Sequence, residues 1–98
     1  MTSVQYLIET LDLTPHPEGG FFKRVYQSEQ TASIGPSNST RHLLTCIYYL
    51  LTDESSIGPL HVNRSDIIHF YHGGAPIIYT LVSPTGELRQ ETLGANLN

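Results

Sequence analysis

A chain of 98 residues makes one small domain, near the size where burying enough apolar surface stops being automatic. Its net charge is −4, and its five lysines and arginines are scattered, which excludes the clustered basic face that nucleic acid demands. No long apolar run or basic amphipathic stretch offers a membrane anchor. The single cysteine, Cys46, cannot close an internal disulfide. Together with an N-terminus lacking a basic region and apolar run, it points to a cytoplasmic protein.

Val4, Leu7, Ile8 and Leu11 fall at i, i+3, i+4 and i+7, which predicts a short amphipathic helix over 3–11 capped by Thr2 or Ser3. Residues 13–20 hold two prolines and two glycines, so no regular structure is expected there. From Phe21 the pattern changes to period two, a strand ending near Ser28. Residues 29–40 are polar, contain Gly35-Pro36, and read as an exposed loop. Residues 41–51, RHLLTCIYYLL, read as a strand because β-branched and aromatic side chains dominate. Cys46 lies inside that apolar run and is expected to be buried as a small hydrophobe. Strands follow over 66–72 and 75–83. Ser83-Pro-Thr-Gly86 then carries a type I turn signature, and 87–93 completes the hairpin. One helix followed by a series of short strands indicates an all-β barrel or sandwich. The last residues, 94–98, come straight after a strand, so an unpaired edge is expected, a template for a second chain.

Three of the five histidines lie in residues 57–74, IGPLHVNRSDIIHFYHGG. On an extended strand His61 and Asn63 share a face. In the next strand Ile67, His69 and Tyr71 share one face, and Asp66, Ile68, Phe70 and His72 the other. An H-x-N pair is a weak metal signal, because catalytic zinc and iron sites usually have at least three protein ligands. Alternation also sends Asp66 away from His69. Taken singly, each histidine reads more readily as a hydrogen-bonded structural residue than as a ligand. The second concentrated feature is His16-Pro-Glu-Gly-Gly20. Its glycines permit positive φ, and Glu18 sits on a stiff turn. Glu18 is then either a solvated carboxylate on a connector or a fixed acceptor at a pocket rim.

Residues 12–28 (DLTPHPEGGFFKRVYQS), 46–52 (CIYYLLT), 65–74 (SDIIHFYHGG) and 81–86 (LVSPTG) occur in that order. The ordered set resembles the "PEGG" branch of the cupin superfamily, classed as a domain of unknown function, and the resemblance spans residues 4–93. It implies an all-β, cupin-type double-stranded β-helix (jelly roll) with a short N-terminal helix around a small-molecule pocket, in a homodimer. Residues 1–98 would form one domain, the N-terminal part of the barrel, with the second motif absent. Cupins typically hold a divalent metal through an H-x-H pair, a glutamate a few residues on, and a histidine of the second motif. Here His61 stands at the first position, Asn63 at the second, and Ile67 where many members of the branch have glutamate. His61 is thus the one metal-ligand position retained, and the stretch reads as the remains of a metal site.

The resulting expectation is a small-molecule-binding domain without tightly bound metal or other cofactor, its ligand polar or sugar-like. Glu18, His61, Asn63, His69, Tyr71 and Tyr79 are the expected contacts. Tyr48 and Tyr49 alternate, so one of the two faces inward. Two alternatives stand beside this reading. One is an isomerase, epimerase or lyase using histidine as base and tyrosine as acid. The other is a structural or pairing module without ligand.

Overall fold

The computed structural model describes residues 3–34, 39–63 and 65–96. They divide into two compact units, Met1–Arg64 and Ser65–Asn98.

The first unit opens with α1 (Val4–Thr10), capped by Ser3, whose Oγ accepts from the Tyr6 amide at 3.1 Å. That hydroxyl satisfies one of the amides a helix start leaves without a partner. Thr2, the other predicted cap, lies outside the described residues. The chain turns at Asp12, which adopts φ +55°, a left-handed conformation that Asp tolerates better than most residues. Leu13 follows as the one buried apolar side chain among the described residues.

Next come β1 (Thr14–Pro15), β2 (Phe21–Gln27), β3 (Thr31–Ile34), β4 (Ser39–His42) and β5 (Thr45–Leu50). β1, β2 and β5 form an antiparallel sheet in that order, while β3 and β4 form a separate hairpin. β1 corrects the expectation of no regular structure over 13–20. Pro15 pairs with Phe21, which an edge strand allows because the amide proline lacks faces outward. The β2–β5 register runs from Phe21↔Leu50 to Gln27↔Thr45 and slips between Arg24 and Tyr26. Such an extra residue bends a strand and sharpens its twist.

The hairpin corrects the loop expected over 29–40, although Gly35-Pro36 lies outside the described residues. Polar Thr and Ser disguised two short strands, yet Thr is β-branched and favours a pleated surface. The single strand expected over 41–51 is also divided. Leu43 and Leu44 separate β4 from β5, and Ser28 bridges the gap. Its amide donates to the Leu44 carbonyl at 2.8 Å, while its Oγ accepts from the Leu44 amide at 3.1 Å. Cys46 is exposed, against the expected burial. β5 is an edge strand of a single sheet, so apolar neighbours along the chain do not by themselves cover it.

The second unit is the hairpin of β6 (Ile77–Val82) and β7 (Leu88–Leu93), with register Ile77↔Leu93 through Val82↔Leu88. The expected turn is present. The Gly86 amide donates to the Ser83 carbonyl at 2.9 Å, and Gly86 takes φ +87°, the positive φ that follows a type I turn in longer hairpin loops. Residues 66–72, expected as a strand, form none. Alternation identifies two faces, but a strand also needs a hydrogen-bonding neighbour. Ile67, Ile68 and Phe70 remain exposed there. Among the described residues, no helix is long and apolar enough to cross a membrane.

Candidate functional site

In the first unit the chemistry gathers at the Gly19–Gly20 turn. Gly19 and Gly20 take φ +99° and +74°, conformations that glycine adopts without a Cβ penalty. The turn is closed by the His16 amide on the Gly20 carbonyl (2.8 Å) and the Gly19 amide on the His16 carbonyl (3.0 Å). Two side chains from elsewhere clasp it. Ser55 Oγ accepts from the Gly20 amide at 2.7 Å, and the Tyr49 hydroxyl donates to the Gly19 carbonyl at 2.6 Å. Ser55 is itself held by a tight turn with Thr52, each amide donating to the other's carbonyl.

The clasped turn sets the side chains around it. The Glu18 amide donates to His16 Nδ1 at 3.0 Å. The His16 ring meets Phe22 edge-on at 4.8 Å and tilts against Tyr49 at 5.4 Å. Glu18 Oε2 lies 3.5 Å from His61 Nδ1, and the same nitrogen is 2.9 Å from the Pro59 carbonyl. Both members of this pair are about half exposed, so water screens their attraction and the contact positions more than it stabilises.

Burial raises the Tyr49 pKa above its usual value, and the Glu18 carboxylate adds to the effect by opposing a second negative charge. Tyr49 therefore stays a neutral phenol at physiological pH. A phenol whose proton is held more firmly in the folded state leaves stability unchanged near neutrality and lowers it as pH climbs past about 10. Tyr49→Phe should flatten that alkaline loss, read as urea midpoints from about pH 8 to 11. An unchanged slope would show that Tyr49 is not the responsible group.

In the second unit His69 Nδ1 lies 2.6 Å from the Tyr79 hydroxyl, with ring centroids 5.3 Å apart. Burial raises the Tyr79 pKa as well. Tyr71 turns to its own loop and donates its hydroxyl to the Gly74 carbonyl.

Of the six residues singled out from the sequence, the structure joins Glu18 to His61 and His69 to Tyr79. Tyr71 contacts backbone, and Asn63 lies exposed on a segment outside any strand. Tyr49, rather than Tyr48, belongs to the turn. Its register opposite Phe22 places it on that residue's face, information that alternation alone lacks. Sequence reasoning also missed His16 as a site residue and Ser55. His16 had a signal, its place beside Glu18; Ser55 had none, since it meets Gly20 from 35 residues away.

The donor set does not fit a divalent metal. Among the described residues no three His, Cys, Asp or Glu side chains gather in a way that would hold an ion. Asn63, two residues from His61, offers only a neutral amide oxygen.

Among the described residues, antiparallel strands, one short N-terminal helix and a glycine turn set against a sheet edge define a mostly β protein. Residues 5–98 match the Cupin_5 family, described as cupin superfamily (DUF985), and the chain belongs to that family. It is similar to the uncharacterized protein YML079W of Saccharomyces cerevisiae, 38% identical over 102 residues, a match covering 95% of this chain and 50% of that protein. It is also similar to the solved structure of a hypothetical protein from Leishmania major, with a TM-score of 0.72 and 26% identity. That match covers 98% of this chain and 59% of the other. The chain thus spans 50% to 59% of the length of these two relatives.

Proposed function

We propose that this cupin-family chain binds a small polar, sugar-like molecule without tightly held metal. The observation that carries the reading is the Gly19–Gly20 turn. Its backbone engages His16 and Tyr49 by hydrogen bonds, and His61, held by the Pro59 carbonyl, meets Glu18 beside it. Polar groups fixed before a ligand arrives spare the cost of ordering them on binding. Exposed Ile57, Leu60 and Val62 supply, beside His61, the apolar surface that small-molecule sites combine with a few polar groups. Asn63 belongs to the same set. In the second unit His69, Tyr71 and Tyr79 are the proposed contacts.

Ligand-induced thermal shift tests this, because a binder gains stability as RT ln(1 + [L]/Kd). A polar metabolite should raise the melting temperature, and His61→Ala should remove most of the gain from binding at the first unit, His69→Ala most of the gain from binding at the second. No shift across a broad metabolite library would leave the structural or pairing module standing instead. The homodimer is part of the proposal, and sedimentation showing a compact monomer at micromolar concentration would remove it.

A second reading, an isomerase, epimerase or lyase, draws support from the His69–Tyr79 contact. A neutral phenol against an imidazole is an acid beside a base. Turnover of a sugar or keto-acid substrate with a bell-shaped pH profile, lost in His69→Ala, is the result this reading requires. A flat profile or unchanged turnover in the variant would reject it.

A further inference from the structure

The hydrogen bonds around the Gly19–Gly20 turn determine which imidazole nitrogens carry hydrogen. The Pro59 carbonyl can only accept, so His61 Nδ1, 2.9 Å away, must be the protonated nitrogen. Neutral His61 is then the Nδ1–H tautomer, and its Nε2 keeps a lone pair. At His16 the order is reversed. The Glu18 amide donates to Nδ1 at 3.0 Å, so Nε2 carries the hydrogen. Tyr49 gives its hydroxyl hydrogen to the Gly19 carbonyl, which leaves its oxygen as an acceptor. The Glu18 carboxylate, 3.5 Å from His61, only accepts. The turn and the adjoining His61 therefore present three accepting groups (Glu18, His61 Nε2 and Tyr49 Oη) beside two donors, the His16 Nε2–H and the Ser55 hydroxyl, which accepts from the Gly20 amide and keeps its own hydrogen.

We propose that this turn selects a neutral polyhydroxylated molecule and discriminates against carboxylates and phosphates, a specificity that rests on the small-molecule reading above. Hydroxyl groups bring the hydrogens that three acceptors require, and each hydroxyl oxygen still accepts, which suits His16 Nε2–H. A carboxylate or phosphate brings acceptors to acceptors and meets the negative charge of Glu18. Lone pairs desolvated without a donor oppose binding.

The test uses the full chain labelled with 15N and observed by NMR above the imidazole titration, near about pH 8. His61 should appear as the Nδ1–H tautomer and His16 as the Nε2–H tautomer. Neutral hexoses and hexitols are then titrated against the corresponding hexose 6-phosphates and uronic acids, following the amides of Glu18, Gly19 and Gly20. Neutral compounds should move these signals with affinities about tenfold or more above those of their anionic counterparts, a gap that Glu18→Gln should narrow. His61 found as Nε2–H would overturn the proposal, as would an acid that binds these amides more tightly than its neutral counterpart. Binding that moves signals only elsewhere sinks this specificity and leaves the small-molecule reading intact. No shift anywhere with any compound, in a protein that also fails the metabolite screen, sinks both.

Discussion

Gly20→Ala should unfold the first unit at temperatures the parent chain tolerates. An ideal Cβ on Gly20 would lie 2.6 Å from the Leu50 carbonyl oxygen and 2.9 Å from Tyr49 Cε1. The first neighbour is backbone of β5 and cannot swing aside. The residue also takes φ +74°, which costs a non-glycine residue about 1–2 kcal/mol. Relief of the overlap adds about 1–3 kcal/mol, so a total of about 2–5 kcal/mol is expected, a fall in Tm of roughly 10 °C or more for a domain of this size.

Gly19→Ala is the control. Its φ of +99° is unfavourable too, but the added Cβ meets Ser55 Oγ at 3.2 Å, a hydroxyl on a rotatable bond. A loss of about 1 kcal/mol is expected there. If Gly20→Ala melts with the parent chain, the turn is not seated against β5. The clasp that positions Glu18 would then be wrong.

The helix and the second hairpin were legible because each carries its whole signal locally: an apolar stripe with a capping Ser3, and a Ser-Pro-Thr-Gly turn between alternating runs. Positive φ at Gly19 and Gly20 was legible for the same reason. β3 and β4 were hidden by composition, since hydroxyl side chains suit loops as well as sheet edges. Residues 66–72 failed in the opposite way, because alternation can be complete where no neighbouring strand supplies the ladder.

The candidate site divides along the same line. Tyr79 could be named from its strand and His69 only from the histidine-bearing stretch, although their direct contact could not. Glu18 and His61 could be named separately, but their meeting depends on a turn clasped by Ser55 and Tyr49 from distant parts of the chain. Which of Tyr48 and Tyr49 faces that turn depends on strand register, a tertiary property.

On the proposed reading, His61 serves ligand binding that works without tightly held metal. A full cupin-type centre would draw on several deprotonated side chains, and affinity falls steeply as such ligands are removed. Here His61, whose Nδ1 lies 2.9 Å from the Pro59 carbonyl, has only its Nε2 lone pair to offer, a single ligand. Asn63 contributes only a neutral amide. Calorimetric titration of metal-stripped protein with zinc, nickel, manganese and iron(II), repeated on His61→Ala, measures the consequence directly. The expected dissociation constants are no tighter than roughly micromolar, with little change in the variant. Submicromolar binding at one-to-one stoichiometry, abolished by His61→Ala, would show instead that His61 anchors a metal centre.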